Sequence, residues 1–131
     1  MTATPEDTPP LANLECIVLD CPDPAELAAF YRALLGGSIN QPDRRWAIGE
    51  RWATLHTPTG PVLAFQAVDD YVPPRWPDPA HPQQFHLDFH VEALEPVHLR
   101  VLEVGARLLK SAQGWRVYAD PAGHPFCLVG S

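Results

Sequence analysis

Apolar and polar residues alternate along residues 14–21 and again along 85–91, which predicts one strand in each segment. Each segment is followed by apolar residues at helical spacing, in 24–35 and in 94–104. Three further short strand patterns follow each helix. They occupy 38–41, 46–56 and 62–68 after the first helix, and 107–111, 114–119 and 126–129 after the second. The chain therefore predicts the same element order, βαβββ, twice.

A sequence repeat supports this duplication. Residues 52–60 and 115–123 keep Trp, Pro and Gly at the same spacing, 63 positions apart, and a second correspondence pairs 35–39 with 104–108 at an offset of 69. Near-equal offsets indicate two copies of one supersecondary unit that must pack together to bury their apolar faces. We expect function where the two copies meet.

The length and the prolines define the predicted domain organisation. At 131 residues the chain suits a single domain. Residues 1–13 are polar and Pro-rich, which predicts a flexible tail ahead of one domain over 14–131. Five prolines in 69–84 are incompatible with a helix or a central strand. This segment is the predicted connection between module one (14–68) and module two (85–131).

Charge and composition narrow the classes of partner. The formal net charge is -7 and the nine Lys and Arg are scattered, so no basic surface for nucleic acid is expected. No apolar run approaches the roughly 20 residues of a membrane span, and the N-terminus lacks the pattern of a secretion signal. A cytoplasmic location is expected. Three cysteines, an odd number within or beside apolar strands, favour reduced thiols over a disulfide framework.

Several short motifs occur in an order that is similar to one known family. They are 19–24 (LDCPDP), 30–36 (FYRALLG), 63–66 (LAFQ), 74–77 (PRWP), 86–88 (HLD), 104–106 (VGA) and 120–126 (DPAGHPF). The chain resembles the glyoxalase-like branch of the vicinal oxygen chelate superfamily, the glyoxalase, bleomycin-resistance and dioxygenase type. The resemblance implies an α+β fold in which two tandem βαβββ modules form a curled, open, barrel-like mixed sheet with the helices outside. It also implies a small-molecule ligand in the concave sheet and a homodimer.

The resemblance implies four metal-ligand positions on the first and fourth strands of the modules, here Cys16, Ala64, His86 and Cys127. Ala64 has no donor atom, so the family's usual ligand set is incomplete. The remaining two thiols and one imidazole match an open zinc site. The alternative is that Cys16 and Cys127 are small core residues and no metal binds. The expected cofactor is therefore none or one divalent metal, with zinc the best match.

Polar side chains alternate along the first strand of module two. His86 and Asp88 lie on one side of that strand, and a carboxylate beside an imidazole is suited to acid and base chemistry. A solvated strand face would show the same alternation. With the resemblance taken into account, we expect His86 and Asp88 to be catalytic. The predicted pocket residues are Cys16, Gln66, His86, Cys127, Trp46 and Trp52.

Two functions remain open from the sequence. One is an enzyme, a lyase, isomerase or epimerase acting on a small organic molecule. The other is a non-catalytic binding or sequestration protein of the antibiotic-resistance type, which the missing fourth ligand favours. Trp76, among the prolines of the connection, is either a lid over the pocket or a peg that fixes the connection.

Overall fold

The structure is a computed structural model that describes residues 9, 11, 14–40, 51–83 and 85–131. Within these residues, two helices and eight strands follow the predicted order. They are β1 (Ile17–Cys21), α1 (Pro24–Leu35), β2 (Ser38–Ile39), β3 (Trp52–His56), β4 (Val62–Ala67), β5 (Leu87–His90), α2 (Leu94–Glu103), β6 (Arg107–Ala112), β7 (Trp115–Ala119) and β8 (Pro125–Val129).

The strands form two four-stranded mixed sheets with the same topology. The first sheet has the order β1-β4-β3-β2 and the second β5-β8-β7-β6. In the first sheet, β3 pairs antiparallel with both β2 and β4, and β1 pairs parallel with β4. In the second sheet, β7 pairs antiparallel with both β6 and β8, and β5 pairs parallel with β8. The predicted α+β class and the two βαβββ modules are confirmed, and the described strands do not close into a barrel.

Local signals at both ends define helix α1. Asp23 is the N-cap, and its side chain accepts a hydrogen bond of 3.2 Å from the backbone N–H of Glu26. Pro24 occupies the start of the helix, where its fixed φ is favourable and no N–H is needed. Gly36 ends the helix at a φ of 75°, which a residue with a side chain rarely adopts.

Helix α1 packs its aromatic side chains against both sheets. The ring of Tyr31 stacks on Phe65 of the first sheet with centroids 5.8 Å apart. The rings of Tyr31 and Phe30 also contact Phe126 of the second sheet, at centroid distances of 6.4 and 5.8 Å. The buried residues of both modules consequently form one hydrophobic cluster. Burying one shared core explains why the two modules associate.

The sequence repeat has a structural cause. The proline of each repeat copy lies beside the glycine that follows the helix of its own module. A Cβ on Gly36 would lie 3.8 Å from Cγ of Pro58, and a Cβ on Gly105 would lie 3.3 Å from Cγ of Pro121. Gly37 is more restricted still, because it has a φ of 98° and a Cβ there would clash with the carbonyl oxygen of His56. The glycine of positive φ that follows each helix thus lies beside the turn after β3 or β7.

Some predictions fall on residues outside the described ranges. Trp46, Gln41, the first part of the 46–56 strand and most of the 1–13 tail are among them. The three cysteines are free, with Cys21 buried and Cys16 and Cys127 half-buried, as expected for reduced thiols. Neither helix in the described part of the chain is long and apolar enough to cross a bilayer.

Candidate ligand and metal site

Strand β5 presents one apolar and one polar face. Leu87 and Phe89 contact the hydrophobic core, whereas Asp88 on the opposite face is exposed. Asp88 pairs with Cys127 on β8, and Cys127 pairs with Val117 on β7, so these three side chains share a face of the second sheet. This face is turned away from the hydrophobic core and lines the cavity described below. We call it the inner face of the second sheet.

Three potential metal ligands converge on this face. His86 Nε2 lies 3.3 Å from Asp88 Oδ1, and the ligand atoms of His86, Asp88 and Cys127 all lie within 4.8 Å of one another. The side chains of His86 and Asp88 are 43% and 59% exposed to solvent, so water reaches both. Burial raises the pKa of the Cys127 thiol to about 11, and a hydrogen bond to Asp88 and the charge of that carboxylate add to the effect.

A cavity of about 280 Å³ covers this group, and we call it the second-sheet cavity. Its walls come from the inner face of the second sheet and from the proline-rich connection. They are Trp76, Gln83, His86, Asp88, Trp115, Val117, Pro125, Cys127 and Val129. Trp76 thus lines the cavity at the predicted site. This position is compatible with both predicted roles, a lid over the pocket and a peg that fixes the connection.

A second cavity, of about 520 Å³, lies between the first sheet and the same connection, and we call it the first-sheet cavity. Val18, Asp20 and Gln66 contribute the inner face of the first sheet. The remaining walls are mostly apolar or aromatic. They come from Leu19 of β1, from the connection and the adjoining Phe85, and from the turn before β8 with Pro125. They are Leu19, Tyr71, Val72, Pro73, Pro74, Ala80, His81, Pro82, Gln83, Phe85, His124 and Pro125.

Gln83 belongs to both cavities. It lines each of them, as does Pro125, so the two cavities adjoin. Its side-chain Oε1 is buried and has no hydrogen-bond partner. A buried acceptor without a donor is unfavourable by about 1–3 kcal/mol, which a ligand or ordered water in either cavity would offset.

The sequence patterns do not single out His124 as a site residue. Its Nε2 lies 2.6 Å from the carbonyl oxygen of Asp20 in module one and 3.2 Å from the hydroxyl of Tyr71. Because a carbonyl only accepts, Nε2 carries the proton, which leaves Nδ1 as an acceptor in the neutral ring. The Tyr71 hydroxyl donates to the carbonyl of Ala122 at 2.8 Å. These bonds connect the first sheet, the connection and the β7–β8 turn around the first-sheet cavity.

The structure distributes the predicted pocket residues over different places. Gln66 lines the first-sheet cavity, and His86 and Cys127 line the second-sheet cavity. Cys16 and Trp52 line neither, although the indole Nε1 of Trp52 is buried without a hydrogen-bond partner. Trp46 lies outside the described residues.

The predicted ligand trio differs from the set that the structure brings together. Among the described residues, the group able to hold a metal contains Asp88 in place of Cys16. In module one the pair equivalent to Asp88 and Cys127 is Val18 and Ala64, which offers no donor atom. The potential ligands therefore come from module two alone.

Comparisons with known proteins agree with this architecture. A family model described as a glyoxalase-like domain matches residues 16–129. The chain belongs to the glyoxalase-like domain family. The predicted glyoxalase-like family is confirmed. A comparison with curated protein sequences gives no match.

The solved structures share the fold at low sequence identity. A glyoxalase/bleomycin resistance protein/dioxygenase family enzyme from Burkholderia phytofirmans PsJN is 16% identical, with a TM-score of 0.69 over 91% of this chain and 98% of that one. A glyoxalase-related enzyme from Fulvimarina pelagi is 21% identical, with a TM-score of 0.64 over 92% and 89%. A mutant of the fosfomycin resistance protein FosX from Listeria monocytogenes, complexed with Mn(II) and 1S,2S-dihydroxypropylphosphonic acid, is 15% identical, with a TM-score of 0.65 over 92% of each chain. At these identities the likeness shows the fold.

Proposed function

We propose that this glyoxalase-like protein binds a small organic molecule in the first-sheet cavity, and that the molecule is neutral or cationic with an apolar body. The observation that carries the proposal is a cavity of about 520 Å³ with apolar walls and a few polar groups. Small-molecule sites commonly enclose roughly 300–1,000 Å³ and have this composition.

The charges around the cavity support the choice of ligand class. The described residues that line the two cavities include the carboxylates of Asp20 and Asp88 but neither Lys nor Arg. Phosphonate and carboxylate groups are commonly bound by such cations, and Arg in particular binds them through two hydrogen bonds. The phosphonic acid bound in the FosX structure is therefore a poor guide to the ligand of this chain.

Individual residues have separable roles in this proposal. The side-chain amides of Gln66 and Gln83 would hydrogen bond to the polar end of the ligand, since both line the cavity and Gln83 Oε1 has no partner. The ring of Tyr71 supplies an aromatic wall and a surface for a cation. The carboxylate of Asp20 favours positive over negative ligands.

A binding or sequestration role is supported better than catalysis. The described lining of the first-sheet cavity offers no Cys, Ser or Thr nucleophile, and its His124 and Tyr71 side chains are held by hydrogen bonds to the backbone carbonyls of Asp20 and Ala122. The second candidate function is an enzyme, a lyase, isomerase or epimerase, with His86 and Asp88 moving protons. The observation in its favour is their 3.3 Å contact in the adjoining cavity. A ligand would have to extend past Gln83 to reach them.

Three probes with the same naphthyl body test the proposal by calorimetric titration: 2-naphthylacetamide, 2-naphthylmethylammonium and 2-naphthylacetate. We expect binding of the amide and the ammonium and weaker binding of the carboxylate. Asp20→Asn should weaken only the ammonium, by roughly two- to fivefold, the effect of an exposed ion pair. Glu15→Gln removes the same charge outside both cavities and serves as the matched control. Preferred binding of the carboxylate would refute the ligand class.

A further inference from the structure

The second-sheet cavity combines two indole rings with a carboxylate. Trp76 of the connection and Trp115 of β7 line it together with Asp88 of β5. The face of an aromatic ring carries partial negative charge, so indole rings beside a carboxylate attract organic cations. Within the described part of the chain, neither Lys nor Arg lines this cavity. Its composition therefore favours a positively charged ligand group.

The chain itself places a cation on one of these rings. Nζ of Lys110 lies 5.3 Å from the ring centroid of Trp115, within the roughly 6 Å of a cation–π contact. Lys110 pairs with Val117 across β6 and β7, so its side chain leaves the sheet on the inner face. The Trp115 ring is thus accessible to a cation from this side of the sheet.

A buried acceptor in the same cavity lacks a hydrogen-bond donor. Gln83 lines the cavity, and its side-chain Oε1 is buried without a partner among the described residues. A buried acceptor left unpaired is unfavourable, and a ligand N–H would remove that cost. A primary or secondary ammonium carries such an N–H, whereas a quaternary ammonium does not.

We propose that the second-sheet cavity binds a primary or secondary ammonium group attached to a small apolar body. In this arrangement the ammonium donates to Gln83 Oε1, pairs with the carboxylate of Asp88 and lies against the indole rings of Trp76 and Trp115. This site is separate from the one proposed in the first-sheet cavity, and either proposal can fail without the other.

The existing contacts of Asp88 leave it able to accept a further hydrogen bond. Its Oδ1 lies 3.3 Å from Nε2 of His86, and the thiol of Cys127 is hydrogen bonded to the same carboxylate. An ionised carboxylate has about four acceptor positions, so these two contacts do not saturate it. The side chain of Asp88 is 59% exposed, so an incoming ligand can reach it.

The remaining walls define the body of the ligand. Val117, Pro125 and Val129 supply apolar surface, and the cavity encloses about 280 Å³. This volume is near the lower end of the range of small-molecule sites, roughly 300–1,000 Å³. An amine with a single aromatic ring is therefore of suitable size. A larger body would have to extend past Gln83 into the first-sheet cavity.

Four probes with one phenyl ring separate the ligand classes by calorimetric titration of the full chain at pH 7. They are benzylammonium, benzyltrimethylammonium, benzyl alcohol and phenylacetate. We expect benzylammonium to bind most tightly, because it alone combines a positive charge with N–H donors. The quaternary ammonium and the alcohol should each bind more weakly by at least roughly two- to fivefold, and phenylacetate should be the weakest.

Substitutions of the lining residues test the individual contacts. Gln83→Met should weaken benzylammonium by roughly tenfold or more, because a hydrogen bond to a charged group is lost. Asp88→Asn and Trp76→Leu should each weaken it by roughly two- to fivefold. The matched control Gln113→Met, in the turn between β6 and β7 and outside the cavity, should bind like the wild type. Circular dichroism checks the fold of each variant.

Lys110 gives a test of the sign of the ligand charge. Lys110→Met removes a like charge from the ring of Trp115, so benzylammonium should bind more tightly, whereas an anionic ligand would lose affinity. Arg32→Met removes the same charge from α1, outside the cavity, and should leave binding unchanged.

Indole N–H signals in a nitrogen-15 correlation spectrum locate the probe. Benzylammonium should shift those of Trp76 and Trp115 and leave that of Trp52, which lines neither cavity, unchanged. Shifts of the Gln66 side-chain amide without those of Trp76 and Trp115 would place the amine in the first-sheet cavity. That result would overturn this proposal and leave the proposed function intact.

Three calorimetric results would also overturn the proposal. One is preferred binding of phenylacetate that weakens in Lys110→Met, which would make the cavity an anion site. Another is equal affinity for benzylammonium and benzyltrimethylammonium, which would remove the role of Gln83 as an acceptor. The third is a folded wild type that does not bind millimolar benzylammonium.

Discussion

The contact between the modules includes one buried hydrogen bond whose removal has a calculable effect. The Tyr31 hydroxyl of α1 donates to Oδ2 of Asp120, after β7, at 2.7 Å. Tyr31 and Asp120 are only 1% and 4% exposed. The other carboxylate oxygen of Asp120 accepts from the backbone N–H groups of Ala122 and His124, so Tyr31 is the donor to Oδ2.

We expect Tyr31→Phe to destabilise the fold by about 2 kcal/mol, because a buried hydrogen bond to a charged group is worth roughly 1.5–3 kcal/mol. For 131 residues the unfolding entropy is about 0.28 kcal/mol/K, so the melting temperature should fall by about 7 °C. Urea unfolding and calorimetry at pH 7 measure both. The matched control is Tyr118→Phe, which removes a 2.8 Å hydrogen bond to His98 within module two and should cost about 1 kcal/mol.

The pH dependence of this effect has a definite sign. Burial raises the pKa of Asp120, while the hydrogen bond from Tyr31 and the charge of His124 oppose the rise. The carboxyl of Asp120 therefore keeps its proton to a higher pH in the native protein than in the unfolded one. Between the unfolded and the native pKa, the contribution of Asp120 to stability falls as the pH rises. Without the Tyr31 donor the native pKa rises further. The stability difference between wild type and Tyr31→Phe should be largest at neutral pH and shrink on acidification through the native pKa. A difference below about 0.5 kcal/mol, or one equal at pH 4 and pH 7, would refute this reasoning.

Three more predictions concern the backbone, the thiols and the oligomeric state. Gly37→Ala should destabilise the fold by about 1–3 kcal/mol in urea unfolding because of its positive φ and its contact with His56, whereas Gly60→Ala should have a smaller effect; equal losses would contradict the argument. Because the pKa of Cys127 is about 11, its alkylation by iodoacetamide, followed by peptide mass spectrometry, should accelerate with every pH step from 7 to 10, and a plateau near pH 8 would contradict that value. The family resemblance predicts a homodimer, so light scattering should give about twice the chain mass of 14.5 kDa, and a monomer at micromolar concentration would oppose it.

The element order could be predicted from the sequence because each element carries a local signal. The period of apolar residues, the Asp23 cap and the repeated Trp, Pro and Gly all act over a few residues. The structure shortens most strands by one to a few residues at their ends, since the ends of a pattern do not show where pairing stops.

The site could be predicted only in part. Alternation placed His86 and Asp88 on one side of β5, but the approach of Asp88 to Cys127 depends on a parallel pairing between residues 39 positions apart. The hydrogen bonds of His124 to Asp20 and Tyr71 depend on how the modules and the connection pack. Gln83 carries no pattern at all, because its role arises from where the proline-rich connection lies. Contacts between residues this far apart in the sequence are set by tertiary packing. They therefore leave no periodic pattern in the local sequence.

The central claim is that the first-sheet cavity binds a small organic molecule, and side-chain amide signals in a nitrogen-15 correlation spectrum test it most directly. Titration with 2-naphthylacetamide should shift the side-chain amides of Gln66 and Gln83, which line the cavity, and leave that of Gln113, in the β6–β7 turn, unchanged. Saturation of these shifts, and their loss in Gln66→Leu, is the predicted result. Shifts confined to Gln113 and the outer face of α2, or no shift at millimolar probe, would contradict the account.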